Sequence, residues 1–102
     1  MEDHQVCLQE LQEFLVDSMM YLDVWDKVIG SKGLTADEEK NVRDAKGDRE
    51  QMRELLMVMR RKDIHVFNAF LEGAKINCRH VIKTVNSKME EIKARPKAAK
   101  GP

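Results

Sequence analysis

Between Asp48 and Ala74 the apolar residues recur with helical spacing twice in succession. Met52, Leu55, Leu56 and Met59 fall at i, i+3, i+4 and i+7, and Phe67, Phe70, Leu71 and Ala74 repeat those intervals, so each set lies on one face of a helix. Asp48 followed by Gln51 has the form of a capping box. Asp63 stands where a second N-cap would stop Arg60-Arg61-Lys62 from continuing as one long helix. Two helices with apolar stripes and almost no linker predict an antiparallel hairpin around which the rest of the chain packs.

The flanking segments carry the same kind of signal. From His4 to about Asp17, Cys7 or Leu8, Leu11, Phe14, Leu15 and then Met19 keep a three- to four-residue rhythm with an acidic outer face. After a break, Leu22, Trp25 and Ile29 predict a short second helix ending at Gly30-Ser31-Lys32-Gly33, a turn tolerant of left-handed backbone. Thr35 with Glu38 forms a capping box for a mostly solvated third helix, with Val42 and Ala45 as its thin apolar face and Gly47 at its close. Asn77 is the expected N-cap of a last helix bearing Cys78, Val81, Ile82, Val85, Met89 and Ile92, which runs to about Ala94 and is stopped by Pro96. The final ARPKAAKGP has no large apolar residue and is expected to be disordered. The expectation is six helices, with a core that includes Leu11, Leu15, Leu22, Trp25, Ile29, Leu55, Leu56, Phe67, Phe70, Leu71, Val81 and Ile82. The helical domain is expected over residues 1–88, with a helix extension and basic tail over 89–102.

Composition narrows the class. A chain of 102 residues holds one domain, large enough to bury a core without disulfides or metals. Its two cysteines, Cys7 and Cys78, are therefore expected reduced and partly buried. No window has the length of a membrane span, and the N-terminus lacks a signal-peptide pattern; the expected location is cytoplasmic, with the basic tail as a route to the nucleus. Net charge is zero but unevenly spread. Residues 1–26 contain seven Asp and Glu and no Lys or Arg, so all 18 basic side chains lie in the remainder. Such polarity suits opposite surfaces that attract each other on neighbouring molecules.

Three segments together resemble a known family. YLDVWDKVIGSKGLTADEEKNVRDA, MRELLMVMRRKD and HVFNAFLEGAK are similar, in that order, to the second and third, the fourth, and the fifth helices of a caspase recruitment domain (CARD), a branch of the death-fold superfamily. The resemblance runs from about Val6 to Val85. Asp63 replaces the Gly frequent after the basic turn, and Glu10, Glu13 and Asp17 make acidic a first helix that often carries basic residues. The resemblance implies an all-α, six-helix antiparallel Greek-key bundle that associates with other CARDs and performs no chemistry. It further implies that an acidic surface on the second and third helices meets a basic surface on the first and fourth helices of a neighbour. The matching residues are Asp23, Asp26, Asp37 and Glu38 for the acidic pole, and Arg49, Arg53, Arg60, Arg61 and Lys62 for the basic one. Met57, off the main apolar stripe, is expected to be exposed within the basic ridge. Beginning at Met1 and lacking a caspase, kinase or nucleotide-binding domain, the chain looks like the CARD-only proteins, some host regulators and some viral mimics, that occupy a caspase's or adaptor's surface without passing a signal on. Self-association is also implied.

Other chemistries find less support in the residues. His4, Cys7, Cys78 and His80 could be drawn together as a zinc site, but Cys78 lies on an apolar stripe and Cys-x-His on a helix aims its side chains apart; no metal or other cofactor is expected. There is no Ser-His-acid or Cys-His set in a recognisable context and no phosphate loop, hence no catalytic machinery and no small-molecule substrate. The alternative from another class is nucleic-acid binding through Lys83, Lys88, Lys93, Arg95, Lys97 and Lys100. A domain neutral overall with an acidic front speaks against it.

Overall fold

The computed structural model describes residues 1–95. Seven α-helices lie among them: α1 (Asp3–Glu10), α2 (Gln12–Ser18), α3 (Trp25–Gly30), α4 (Ala36–Asp44), α5 (Asp48–Met59), α6 (Ile64–Asn77) and α7 (Arg79–Lys93), with one 3-10 turn at Tyr21–Asp23. The predicted first helix is broken at Leu11, whose backbone leaves helical geometry while its side chain stays buried. With α1 and α2 taken as one bent helix, the count is the expected six. Of the predicted disordered tail, Lys97, Lys100 and everything else from residue 96 onward lies outside the described residues. No helix among those described is long and apolar enough to cross a membrane.

Two caps form as the sequence implies. Thr35 N–H donates to Glu38 Oε1 (2.9 Å) while Glu38 N–H donates to Thr35 Oγ1 (3.1 Å), and Asp63 Oδ1 accepts from His65 N–H (2.9 Å). Two others do not. α5 starts after Gly47, whose φ of +90° is left-handed, a conformation that suits glycine. Gln51, predicted to complete a box with Asp48, instead donates to the Arg43 carbonyl at 3.0 Å. Asn77, predicted to open the last helix, closes α6, which runs three residues past Ala74. Its amide donates to the Asp23 carbonyl (2.7 Å), so a tertiary bond replaces the local cap.

The predicted α5–α6 hairpin also needs correction. α5 packs closely on α4 and α2, and α6 on α3 and α7. The apolar faces of α5 and α6 meet through one shared core, in which Met52, Leu55, Leu56, Met59, Phe67 and Phe70 are all buried. Phe67 and Phe70 stack with centroids 6.2 Å apart.

The second helix is where the core list fails most plainly. Leu22, placed in the core by its spacing with Trp25 and Ile29, is 61% exposed. The segment begins with a 3-10 turn, which brings i and i+3 onto one side. Tyr21, Val24 and Val28 therefore face inward, while Trp25 is half-buried and packs edge-on against Tyr21, at 5.1 Å and 81°. Ile29, Leu71 and Ile82 are half-buried as well. The sequence reading also passed over Val16, Val58 and Val66, all buried.

α6 approaches this segment so closely that one position requires glycine. A Cβ on Gly73 would sit 2.8 Å from Val24 Cα and 3.1 Å from Val24 Cβ. Backbone cannot yield as a flexible side-chain end does, so Gly73→Ala is expected to destabilise the domain by about 1–3 kcal/mol, although Gly→Ala inside an unhindered helix stabilises by about 1 kcal/mol. Urea unfolding of the variant checks the sign; a gain in stability would show that α6 and the 3-10 turn are not packed backbone to backbone.

Candidate interaction surfaces

The basic ridge predicted on α5 exists, but it faces its own counter-charges. Because α2 packs on α5, Arg49 Nη1 bonds Asp17 and Arg49 Nη2 lies 3.8 Å from Glu13. Arg53 bonds Glu13 (3.1 Å) and Glu50 (2.7 Å), and these two hydrogen bonds raise its pKa, Glu13 contributing most. Exposed pairs of this kind stabilise by only about 0–1 kcal/mol each. Their larger effect is on the potential: the charges of Arg49 and Arg53 are offset by Glu13, Asp17 and Glu50. The acidic first helix, recorded as a departure from the resembling family, is the signal that could have disclosed this, since the first and fourth helices were expected to share a surface.

The basic turn after α5 holds the bundle together. Gln5 Nε2 donates to the Arg60 carbonyl (2.9 Å) and His4 Nε2 to the Lys62 carbonyl (3.0 Å); a carbonyl can only accept, which fixes the proton on that nitrogen. His4 is almost fully buried, its ring 5.6 Å from Phe67. Lys62 Nζ bonds Glu38 Oε1 at 2.8 Å, so a residue assigned to the basic pole and one assigned to the acidic pole neutralise each other within one molecule. Lys62, and after it the Thr35 backbone N–H, hold the Glu38 carboxyl below its ordinary range. Arg60 reaches Gln12 at 3.5 Å, and Arg61, 60% exposed, lies 4.0 Å from Glu38. Met57 is exposed as expected and with Met1, Gln5, Arg60 and Arg61 lines a shallow depression of about 240 Å³.

The acidic pole divides the other way. Asp23 Oδ2 accepts from Met20 N–H (2.8 Å) and from Cys78 Sγ–H (3.3 Å), which makes Asp23 a fastening between the 3-10 turn and the α6–α7 junction. Asp26 and Asp37 are exposed, with neither ion pair nor hydrogen bond among the described residues.

The zinc candidates are separately engaged. His4 bonds Lys62, Cys78 bonds Asp23, His80 is exposed, and no three His, Cys, Asp or Glu side chains converge among the described residues. Both thiols are free and burial pushes each up to about 11, which leaves them protonated and unreactive near neutral pH.

Two members of the basic C-terminal set are tied to the front of the chain. Arg95 makes two bonds to Glu10, 2.7 and 2.8 Å, and Lys88 approaches the same carboxylate at 3.3 Å. Arg95 also bonds Glu91 at 2.8 Å. The Arg95 guanidinium, more than any other group, lowers the Glu10 carboxyl from 4.5 to about 2. A depressed carboxylate stabilises the fold above its unfolded pKa, and that contribution is lost as pH falls through the folded one. Melting temperature should therefore decline between pH 4.5 and 2, and Glu10→Gln should flatten that part of the decline; an unaltered slope would show that the clasp does not contribute in solution. Lys83 and Lys93 remain exposed.

No curated protein and no solved structure matches the chain. A family model does: that of the caspase recruitment domain, over residues 5–88. With the bent first helix, the Thr35–Glu38 cap, the basic turn closing α5 and the single helical core all in place, the chain belongs to the caspase recruitment domain family and has its death-fold architecture.

Proposed function

We propose that this domain, a homotypic protein–protein interaction module by family, occupies a CARD-containing caspase or adaptor through the acidic α3–α4 side and caps the assembly there, as a regulator of apoptotic or inflammatory signalling. One observation carries the reading: Asp26 and Asp37 face solvent without partners among the described residues, whereas Arg49 and Arg53 already hold Glu13 and Asp17. A partner's basic surface meets free carboxylates. The next subunit, bringing its own carboxylates to α5, must displace acids already in place, an exchange of like for like with little net gain. Growth is then disfavoured on one side only. Nucleic-acid binding is the weaker reading, since Lys88 and Arg95 are held by Glu10.

The test is polymerisation of a purified adaptor CARD, followed by light scattering, with the chain added at substoichiometric amounts. Shortened filaments are expected. Glu13→Gln with Asp17→Asn removes the counter-charges from α5 and should convert the cap into a co-assembling subunit. Wild-type protein that is incorporated along the filaments and extends them would refute capping.

A further inference from the structure

A cleft of about 690 Å³ lies where α6 passes into α7 and is lined by Lys75, Ile76, Arg79, Ile82, Lys83 and Asn86. Neither pole accounts for it. Arg79 and Lys83 are exposed and have no ion pair among the described residues, and Lys75 has only Glu72, three residues back on its own helix and 3.6 Å away, both of them largely solvated. Ile76 is 64% exposed. The bonds from Asn77 and Cys78 to Asp23 set the 3-10 turn beside this junction. A basic cleft with apolar residues at its edge is thus left open while the arginines of α5 are neutralised.

We propose that this cleft is the docking site for a second copy of the chain, which presents Asp26 and Asp37 to Lys75, Arg79 and Lys83. Charge complementarity selects the occupant, because the same molecule displays both exposed cations and, among the described residues, unpaired carboxylates. A phosphate polymer fits less well: three cations interrupted by exposed isoleucine make few phosphate contacts, and a chain with no net charge gains little from long-range attraction to a polyanion while its lack of net charge favours self-association. The inference rests on the proposed function in taking Asp26 and Asp37 as the binding face, and it adds a consequence: self-association and occupation of a partner compete for the same two carboxylates. The chain's own concentration then sets how much of it is free to cap.

Sedimentation velocity over a concentration series, at low and high salt, tests this. Wild type should self-associate, more weakly at high salt. Arg79→Glu with Lys83→Glu should weaken self-association roughly tenfold or more while still binding a purified CARD partner. Asp26→Lys with Asp37→Lys should lose both. The two double variants, each monomeric alone, should associate when mixed, because each then retains the surface that complements the other. All four substituted residues are exposed, and circular dichroism confirms that the variants fold. A wild type that remains monomeric throughout, an Arg79/Lys83 variant that self-associates like wild type, or a mixture without recovery would overturn the proposal. Binding of anionic vesicles or duplex RNA that disappears with Arg79 and Lys83, in a wild type that does not self-associate, would assign the cleft to another occupant. Partner binding that survives Asp26→Lys with Asp37→Lys, alongside recovery in the mixture, would instead refute the capping reading and leave this one standing.

Discussion

Phe70→Ala is expected to lower the unfolding free energy by about 3–5 kcal/mol, out of about 5–15 for a domain of this kind. Phe70 is the largest fully buried side chain and stacks on Phe67. Truncation therefore forfeits the transfer of a whole ring from water, leaves a cavity that the surrounding core fills only in part, and removes a ring pair worth about 0.5–1.5 kcal/mol by itself. Leu22→Ala is the matched control. Sequence periodicity treats the two positions alike, but Leu22 is solvated and its truncation should fall within about 0.5 kcal/mol of zero. Denaturant titrations of both variants check the assignment: equal losses would mean that the 3-10 turn does not set the register of α3.

The second large effect concerns binding rather than folding. Asp26→Lys combined with Asp37→Lys should weaken association with a CARD partner by about 3 kcal/mol, roughly a hundredfold, with the melting temperature nearly unchanged. Each reversal replaces attraction by repulsion, and neither aspartate has a partner among the described residues to lose. Arg49→Glu and Arg53→Glu should do less, since the charges they reverse are already compensated by Glu13, Asp17 and Glu50. Calorimetric titration of one purified partner against the aspartate double variant and the two arginine variants, repeated at higher salt, gives the comparison. If the arginine reversals proved the more damaging, the pairs along α2 and α5 would be giving way on binding, and the basic ridge would be the principal surface.

What could be read from the sequence was whatever depends on near neighbours. The Thr35–Glu38 and Asp63 caps, the buried stripe of α5 and the stripe of α7 are short-range features, and they appear as expected. The failures share a different cause. Leu22 was misplaced because a period of 3.6 was counted through a 3-10 turn. Asn77 and Gln51 were assigned local caps but bond distant backbone carbonyls, Asp23 and Arg43. The α5–α6 pair does not close on itself, because neighbours in sequence are not here the closest neighbours in space. The charged poles were legible as residue types on helices, but not as free or paired, because that depends on which helix faces which. Once α2 lies on α5 and α4 meets the basic turn, Arg49, Arg53, Lys62 and Glu38 acquire partners on other segments that no spacing along the chain discloses.

The clasp at Glu10 also bears on how the domain opens. A terminal helix ordinarily frays from its free end, turn by turn, at little free-energy cost. Here the last turn of α7 buries Ile92, and Lys88 and Arg95 on either side of it grip the end of α1. Unwinding that turn exposes an isoleucine and strands a carboxylate on another helix, so the first and last helices loosen together. Amide hydrogen exchange near Ile92 should therefore keep pace with exchange in α1 instead of running ahead of it, and α1 and the last turn of α7 then behave as one cooperative unit.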